Sequence, residues 1–114
     1  MAYQEGFDLP MAIFEISKSF PIEEKYSLTD QIRRSSRSVC ANLAEAYRKR
    51  WYEKHVVSKL TDSDAENSET QVWLDFAKEC AYINEEQRSD LENQSIEIGK
   101  LIQYMINNPG KFGT

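Results

Sequence analysis

The stretch from Ser27 to Arg50, SLTDQIRRSSRSVCANLAEAYRKR, spaces its core-type residues at the period of an α-helix. Leu28, Ile32, Ser36, Val39, Leu43 and Tyr47 recur so as to share one side of a helix. Arg33, Arg34, Arg37 and Arg48 fall mostly off that side. Ser27 followed by Asp30 reads as a reciprocal N-terminal cap. A helix this long and one-sided has to bury its stripe against other elements, because packing supplies most helical stability.

The rest of the chain offers helices as partners. The sequence has 114 residues with only 4 Gly and 3 Pro, gathered near the termini and at one turn. Little chain is left for hairpins, which argues against a β protein. That length predicts one domain over 1–114, with a single helical core. A 40% apolar and 29% charged composition suits a bundle with solvated outer faces.

Three more helices are expected. The first runs from Leu9 to Ser19, with Asp8 as N-cap, Pro10 in the first turn and Ile13, Phe14, Ile16 and Phe20 as its stripe. Residues 1–7 then form a short N-terminal arm. The third runs from Glu53 to Tyr82, roughly 30 residues and about 45 Å. Its ends are apolar (Val56, Val57 and Leu60; Val72, Trp73, Leu74, Phe76 and Ala77), but its middle, TDSDAENSETQ, holds only Ala65 as an apolar residue. The absence of breakers favours one continuous helix over a long loop. The fourth opens on a reciprocal cap of Asn84 with Gln87 and continues to Asn107. Leu91, Ser95, Ile98, Ile102 and Met105 form its stripe, widened by Leu101 and Tyr104, and Asn108-Pro109-Gly110 stops it. Residues 109–114 are read as a frayed tail. Short links between long helices predict an all-α, antiparallel up-and-down four-helix bundle.

The polar middle of the third helix needs partners, since buried polar groups are hydrogen-bonded. Ser38, Asn42 and Glu45 on the second helix offer them. We expect Ser38, Asn42, Glu45, Asn67 and Glu69 to form a structural polar layer that fixes alignment.

Charge is uneven along the chain. The whole carries −5. Residues 30–55 carry +4 and residues 56–98 carry −8. The nearest explanation is internal: Arg33, Arg34 or Arg37 pairing with Asp62, Asp64, Glu66 or Glu69. The alternative is a basic surface for phosphate or an acidic partner, or a junction between subunits. Trp51-Tyr52 directly follows Arg48-Lys49-Arg50, and aromatics beside cations can clamp single-stranded RNA. Such a cluster more commonly packs as an amphipathic corner. The overall acidity weighs against broad RNA binding.

Other chemistry has no foothold. The one His, His55, lacks metal-spaced partners, so it is expected to be solvated at a helix start. Glu45, Glu66 and Glu69 lack the Glu-x-x-His motifs of a di-metal bundle. No phosphate loop, nucleophile elbow or nucleophile–base pair is visible, so a non-enzymatic protein without cofactors is expected. Cys40 and Cys80 read as buried small apolar residues in a reducing cytoplasm. No apolar run approaches the roughly 20 residues of a membrane span.

LTDQIRRSSRSVCANLAEAYRKR resembles the pattern L-T-x-Q-I-R-R-A-x-x-S-I-P-A-N-I-A-E-G-x-x-R. The matches are Leu28, Thr29, Gln31, Ile32, Arg33, Arg34, Ser38, Ala41, Asn42, Ala44 and Glu45. Phe20, Pro21, Glu24 and Tyr26 match the preceding F-P-x-x-E-x-Y-x-L, and Glu66 to Ala77 looks like the third-helix block of one branch. These motifs resemble the four-helix-bundle proteins encoded by intervening sequences of bacterial 23S rRNA genes, loosely labelled ribosomal proteins. The resemblance implies a homopentameric ring of antiparallel bundles. It also implies kinship with an accessory protein that binds a reverse transcriptase and nucleic acid. Cys40 replaces the family's Pro and Ala46 its Gly, and both changes favour an uninterrupted second helix. Two functions are therefore expected. The first is a ring-forming module that docks a protein partner. The alternative is binding of structured RNA, such as rRNA, through Arg33, Arg34, Arg37, Arg48, Lys49 and Arg50, or an accessory role beside a reverse transcriptase.

Overall fold

The computed structural model describes residues 2–111, and among them it contains four α-helices and no strand. They are α1 (Ala2–Ser17), α2 (Leu28–Arg48), α3 (Glu53–Glu79) and α4 (Glu85–Asn107), with short 3-10 turns over Ile22–Glu24 and Pro109–Lys111. Side-chain partners on α3 recede as α2 advances: Ser35 meets Thr70, Ser63 reaches the Val39 carbonyl, and Lys59 pairs with Glu45. The two helices therefore run in opposite directions. The same holds for α3 and α4, where Asn67 meets Ser95 and Asp75 meets Arg88. Helix α1 packs on α2 and α4, and α3 packs on α2 and α4, while α1 and α3 do not approach each other. These two helices are diagonal in the bundle.

The core is aliphatic. Leu9 and Ile13 of α1, Ile32 and Val39 of α2, Val56, Leu60 and Leu74 of α3, and Ile98 and Ile102 of α4 are all solvent-free or nearly so. Each such side chain contributes about 1.5–3 kcal/mol by leaving water. On α2, Leu28, Ile32, Ser36, Val39 and Leu43 are buried as the periodicity predicts, but Tyr47 stands half-exposed and Ala46 takes the core position beside it.

Helix α1 starts at Ala2, so most of the expected arm is helical and Pro10 lies inside the helix. An interior proline costs about 3 kcal/mol. Burial of Leu9 and Ile13 on either side of it offsets that cost. Gly6 lets the early turns close on α2, since a Cβ there would stand 3.0 Å from Leu43 Cδ1. Asp8 caps nothing and instead accepts from the Gln4 amide at 3.0 Å.

The Ser27–Asp30 cap is also replaced. Ser27 makes no capping bond, and Glu24 takes the task from the preceding turn. Its Oε1 accepts from Ser27 Oγ at 2.5 Å and from the Leu28 N–H at 3.3 Å. The expected cap of α4 is present, with the Asn84 side chain accepting from Gln87 N–H and the Gln87 side chain from Asn84 N–H.

Helix α3 is continuous through its polar middle, ending at Glu79 rather than Tyr82. The chain then turns through Ala81 at φ 62°, the left-handed region. Ala81 N–H bonds to Lys78 O and Tyr82 N–H to Ala77 O, the paired pattern of a Schellman end. Glycine commonly fills that position because it has no Cβ to strain.

The polar layer exists with a different membership. Asn67, at 2% exposure, donates to the Ser95 carbonyl at 2.8 Å, and Ser95 Oγ donates back to Asn67 Oδ1 at 2.8 Å. Gln71 donates to Ser95 Oγ at 3.0 Å, Ser35 shares a proton with Thr70 at 2.9 Å, and Ser63 donates to the Val39 carbonyl. Ser38, Asn42, Glu45 and Glu69 lie on the flank instead. Asn42 donates to Ser38 O within α2, Glu45 is exposed and ion-paired, and Glu69 accepts from Trp73 Nε1. Small hydroxyls reach the centre because they bring one polar atom that a carbonyl satisfies. The Glu45 and Glu69 carboxylates stay where water reaches them. Gly99 makes room for the pair, as a Cβ there would lie 3.3 Å from Asn67 Nδ2.

Cys80 is exposed and Cys40 half-buried, so the reading of both as buried is corrected. Cys80 escapes burial because it sits just past the last turn of α3.

Two substitutions check this account. Asn67→Ala is expected to lower unfolding free energy by about 1–3 kcal/mol in urea melts, because Ser95 loses a buried partner. Ala81→Gly is expected to raise it by about 1 kcal/mol, by relieving the left-handed residue. A destabilised glycine variant would contradict the geometry at Ala81.

Candidate functional site

The six basic residues singled out in the sequence separate into two groups. Between Arg37 and Arg48 the helix advances about 16 Å without a cation.

The first group lines an open groove of about 540 Å³ on the outer side of α2, where Lys25, Arg33, Arg34 and Arg37 outnumber the one acid, Asp30, beside Tyr26 and Thr29. Its organiser is Phe14 of α1. The Arg33 and Arg37 guanidinium carbons lie 4.8 and 5.6 Å from the ring centre, and Lys18 Nζ lies 4.9 Å from it. Three cations around one ring are held by attraction to the π face. Arg33 is fixed further by donating Nε–H to Ser17 Oγ at 2.8 Å. No carboxylate among the described residues forms an ion pair with Arg33 or Arg37.

The internal pairing expected between α2 and α3 is thus reduced to one contact, Arg34 to Glu69 at 3.8 Å. Several acids of α3 and α4 are paired closer to home. Arg88 joins Glu85, Glu92 and Asp75, Lys78 joins Glu79 and Glu85, and Lys59 joins Asp62 and Glu45 of α2. The aromatic ring of α1 outcompetes carboxylates for Arg33 and Arg37 because it lies directly beside them.

The groove's near wall, Lys25 and Tyr26, follows the Ile22–Glu24 turn. That turn is tied to the far end of α3 by Tyr82, whose hydroxyl donates to Glu24 Oε2 at 2.8 Å and whose ring packs on Phe20. The Ser27 hydroxyl, the Tyr82 hydroxyl and the Leu28 N–H hold the Glu24 carboxyl below the usual 4.5. The hydrogen bond to Glu24, with burial second, pushes the Tyr82 phenol up to about 12.

The second group forms the corner between α2 and α3. Arg50 lies over Tyr47 at 4.1 Å and over Trp51 at 5.0 Å, and it donates to the Tyr47 carbonyl at 3.0 Å. Tyr52 packs on His55 with ring centres 5.8 Å apart. The corner does not fold its aromatics inward: Trp51 is 77% and Tyr52 66% exposed. His55 is exposed in the first turn of α3, where the sequence puts it.

Phe14, Lys18, Lys25 and Tyr26 were not legible as site residues from the sequence. Phe14 carries the helical period of a core residue, and only the α1–α2 packing reveals the cations around it. Among the described residues no cluster of His, Cys, Asp and Glu is arranged to hold a metal. Glu45 and Glu69 are engaged with Lys59 and Arg34, and Glu66 keeps one buried oxygen without a partner. No helix among the described residues is long and apolar enough to cross a membrane.

Comparison with known proteins agrees with the geometry. Residues 1–104 match the family described as 23S rRNA-intervening sequence protein. The fold is similar to a crystal structure from Bacteroides thetaiotaomicron, a protein with unknown function from the S23 ribosomal protein family. That likeness has a TM-score of 0.85 and 29% identity, over 93% of this chain and 98% of that one. No curated protein matches the chain.

The Glu24–Tyr82 tie has a pH signature at each end. The folded phenol keeps its proton more tightly than the unfolded one. Its stabilisation is therefore complete below pH 10 and fades as pH rises from 10 toward 12. For Glu24 the sign reverses: stabilisation is present above pH 4.5 and is lost as pH falls below it. Ultraviolet titration is expected to show a phenol step near 12 that Tyr82→Phe removes. If the step survives that substitution, the tie is not the cause.

Proposed function

Because the chain belongs to the 23S rRNA-intervening sequence protein family, we propose that it acts as a helical assembly module, joining copies of itself into a closed ring that docks a protein partner. The observation that carries this reading is a pair of apolar strips on diagonal helices. Phe7 and Met11 stand one turn apart on α1, and Val72 and Phe76 one turn apart on α3, each about half-exposed. Trp73 packs beside Phe76 with ring centres 5.8 Å apart and extends the α3 strip. Large apolar groups left at the surface in neighbouring positions mark contact surfaces.

Two different strips on opposite sides of one molecule favour head-to-tail contact, α1 of one copy on α3 of the next. Such contacts close into rings when the rotation per copy allows. Five copies is the number the family resemblance implies. The charge pattern supports the same arrangement. Arg33 and Arg37 of α2 have no ion pair with an acid among the described residues, whereas the 56–98 region carries an excess of acids, and complementary fields orient partners before contact.

Light scattering is expected to give a mass several times the 13.3 kDa of one chain. Phe76→Asp and Phe7→Asp should each return it to the single-chain mass with helical circular dichroism unchanged. A single-chain mass for the unaltered protein at micromolar concentration would refute the proposal.

A further inference from the structure

The corner between α2 and α3 carries an inference independent of self-assembly. Four observations meet there. First, Trp51 and Tyr52, adjacent in the chain, are 77% and 66% exposed. A Trp left this bare loses the burial that usually places the residue inside. Second, the corner is cationic in an acidic protein. Residues 47–55 hold Arg48, Lys49, Arg50 and Lys54 against Glu53 alone. No ion pair joins Arg48, Lys49, Arg50 or Lys54 to a carboxylate among the described residues. Third, Arg50 lies over the rings of both Tyr47 and Trp51, and most of the Trp51 surface still faces solvent. Fourth, the corner is rigidly mounted. Ala46 before it and Val56 after it are fully buried, and Tyr52 N–H bonds to Lys49 O while Tyr52 O accepts from His55 and Val56 N–H.

A flat aromatic face, a second ring on the next residue and cations at hydrogen-bonding reach are the parts of a stacking platform for unpaired bases. The rings take base faces of any identity, and the cations take the phosphates. The net charge of −5 does not cancel this. Screening confines each charge to about 8–10 Å, so a ligand at the corner meets the local cations rather than the distant acids of α4. A duplex fits poorly, because its bases are already stacked and its faces are covered. We infer that the Tyr47–His55 corner binds single-stranded nucleic acid, a run of two or three unpaired nucleotides stacked on Trp51 and Tyr52, with Arg48, Lys49 and Lys54 on the backbone. The groove at Phe14 is a separate surface and is not required.

The chain offers its own probe, since Trp51 is exposed and the second Trp, Trp73, is half-buried against Phe76. The experiment titrates the protein with labelled oligouridine of about 12 nucleotides, within the span single-stranded binders cover. Anisotropy reads affinity and tryptophan emission reads stacking. Binding at low salt is expected, with emission quenched and log K falling against log salt with a slope of about −2 to −3. Trp51→Phe should keep most of the affinity and lose the quench. Trp51→Ala, and Arg48→Glu with Arg50→Glu, should each weaken binding at least tenfold. Arg33→Glu with Arg37→Glu should leave it within about twofold. Oligothymidine in parallel tells whether the sugar is read, and a duplex of equal length should bind more weakly.

Absence of binding at low salt would overturn the inference. So would binding unchanged in Trp51→Ala, or lost in the Arg33/Arg37 variant instead. Equal displacement by inorganic phosphate at matched charge would reduce the site to plain anion attraction. A Trp51 emission shift that follows protein concentration without RNA would make the corner a protein contact. The Phe76→Asp variant separates the two readings, because assembly depends on its strip and the corner does not.

Discussion

The reciprocal pair of Asn67 and Ser95 sets the conditions for everything else. An aliphatic interface between α3 and α4 tolerates sliding, because one Leu packs much like another. A buried amide does not. Slipping one helix by a turn, about 5.4 Å, strands the Asn67 carboxamide, the Ser95 hydroxyl and the Gln71 amide together. Each unpaired buried group costs about 1–3 kcal/mol, which is large against the stability of a domain this size. Ser35–Thr70 and Ser63 on the Val39 carbonyl impose the same discipline on α2. With α2, α3 and α4 locked, the positions of Val72 and Phe76, of Arg33 and Arg37 and of the α2–α3 corner are all determined.

Much of this was legible, and the rest failed for identifiable reasons. The four helices, the continuous α3 and the Asn84–Gln87 cap follow from period, absent breakers and a local exchange of hydrogen bonds. Those signals act within a few residues, so sequence displays them. The start of α1 was hidden because an early proline reads as a boundary, whereas its penalty is overcome by packing around Gly6 and Leu9. Ser27 matches a common capping pattern in the sequence, while Glu24 wins through geometry set by the preceding turn. Asn67 was identified as a layer residue, yet its partner is on α4. Ser95 sits at a stripe position where an apolar residue would look equally natural. Charge alone points Arg33 and Arg37 to acids far along the chain, whereas their shared neighbour is a phenylalanine on α1.

These outcomes change what the basic charge of α2 means. A single stripe would have implied one extended anionic ligand. Two groups on different aromatic supports are two devices. At Phe14 the cations are fixed by a ring that is itself half-buried, so the groove has a set shape. At Trp51 the ring is bare and the cations flank it, so the surface is complete only with something laid upon it. Assembly through α1 and α3 and binding at the corner draw on different residues, and the two properties can coexist in one molecule.

The Glu24 cap has a consequence for how the chain reaches its fold. Most helix caps are made by a residue within one turn, so a helix can close its own end as soon as it forms. Here the carboxylate that closes α2 is steadied by a hydroxyl 58 residues further on. While the chain emerges and only α1 and α2 exist, that hydroxyl is missing and the first turn of α2 is held by Glu24 without its anchor. The final tightening waits for the α3–α4 turn to arrive. Formation of that turn is therefore reported back to the beginning of α2, and the tie serves as a late latch between the two halves of the chain.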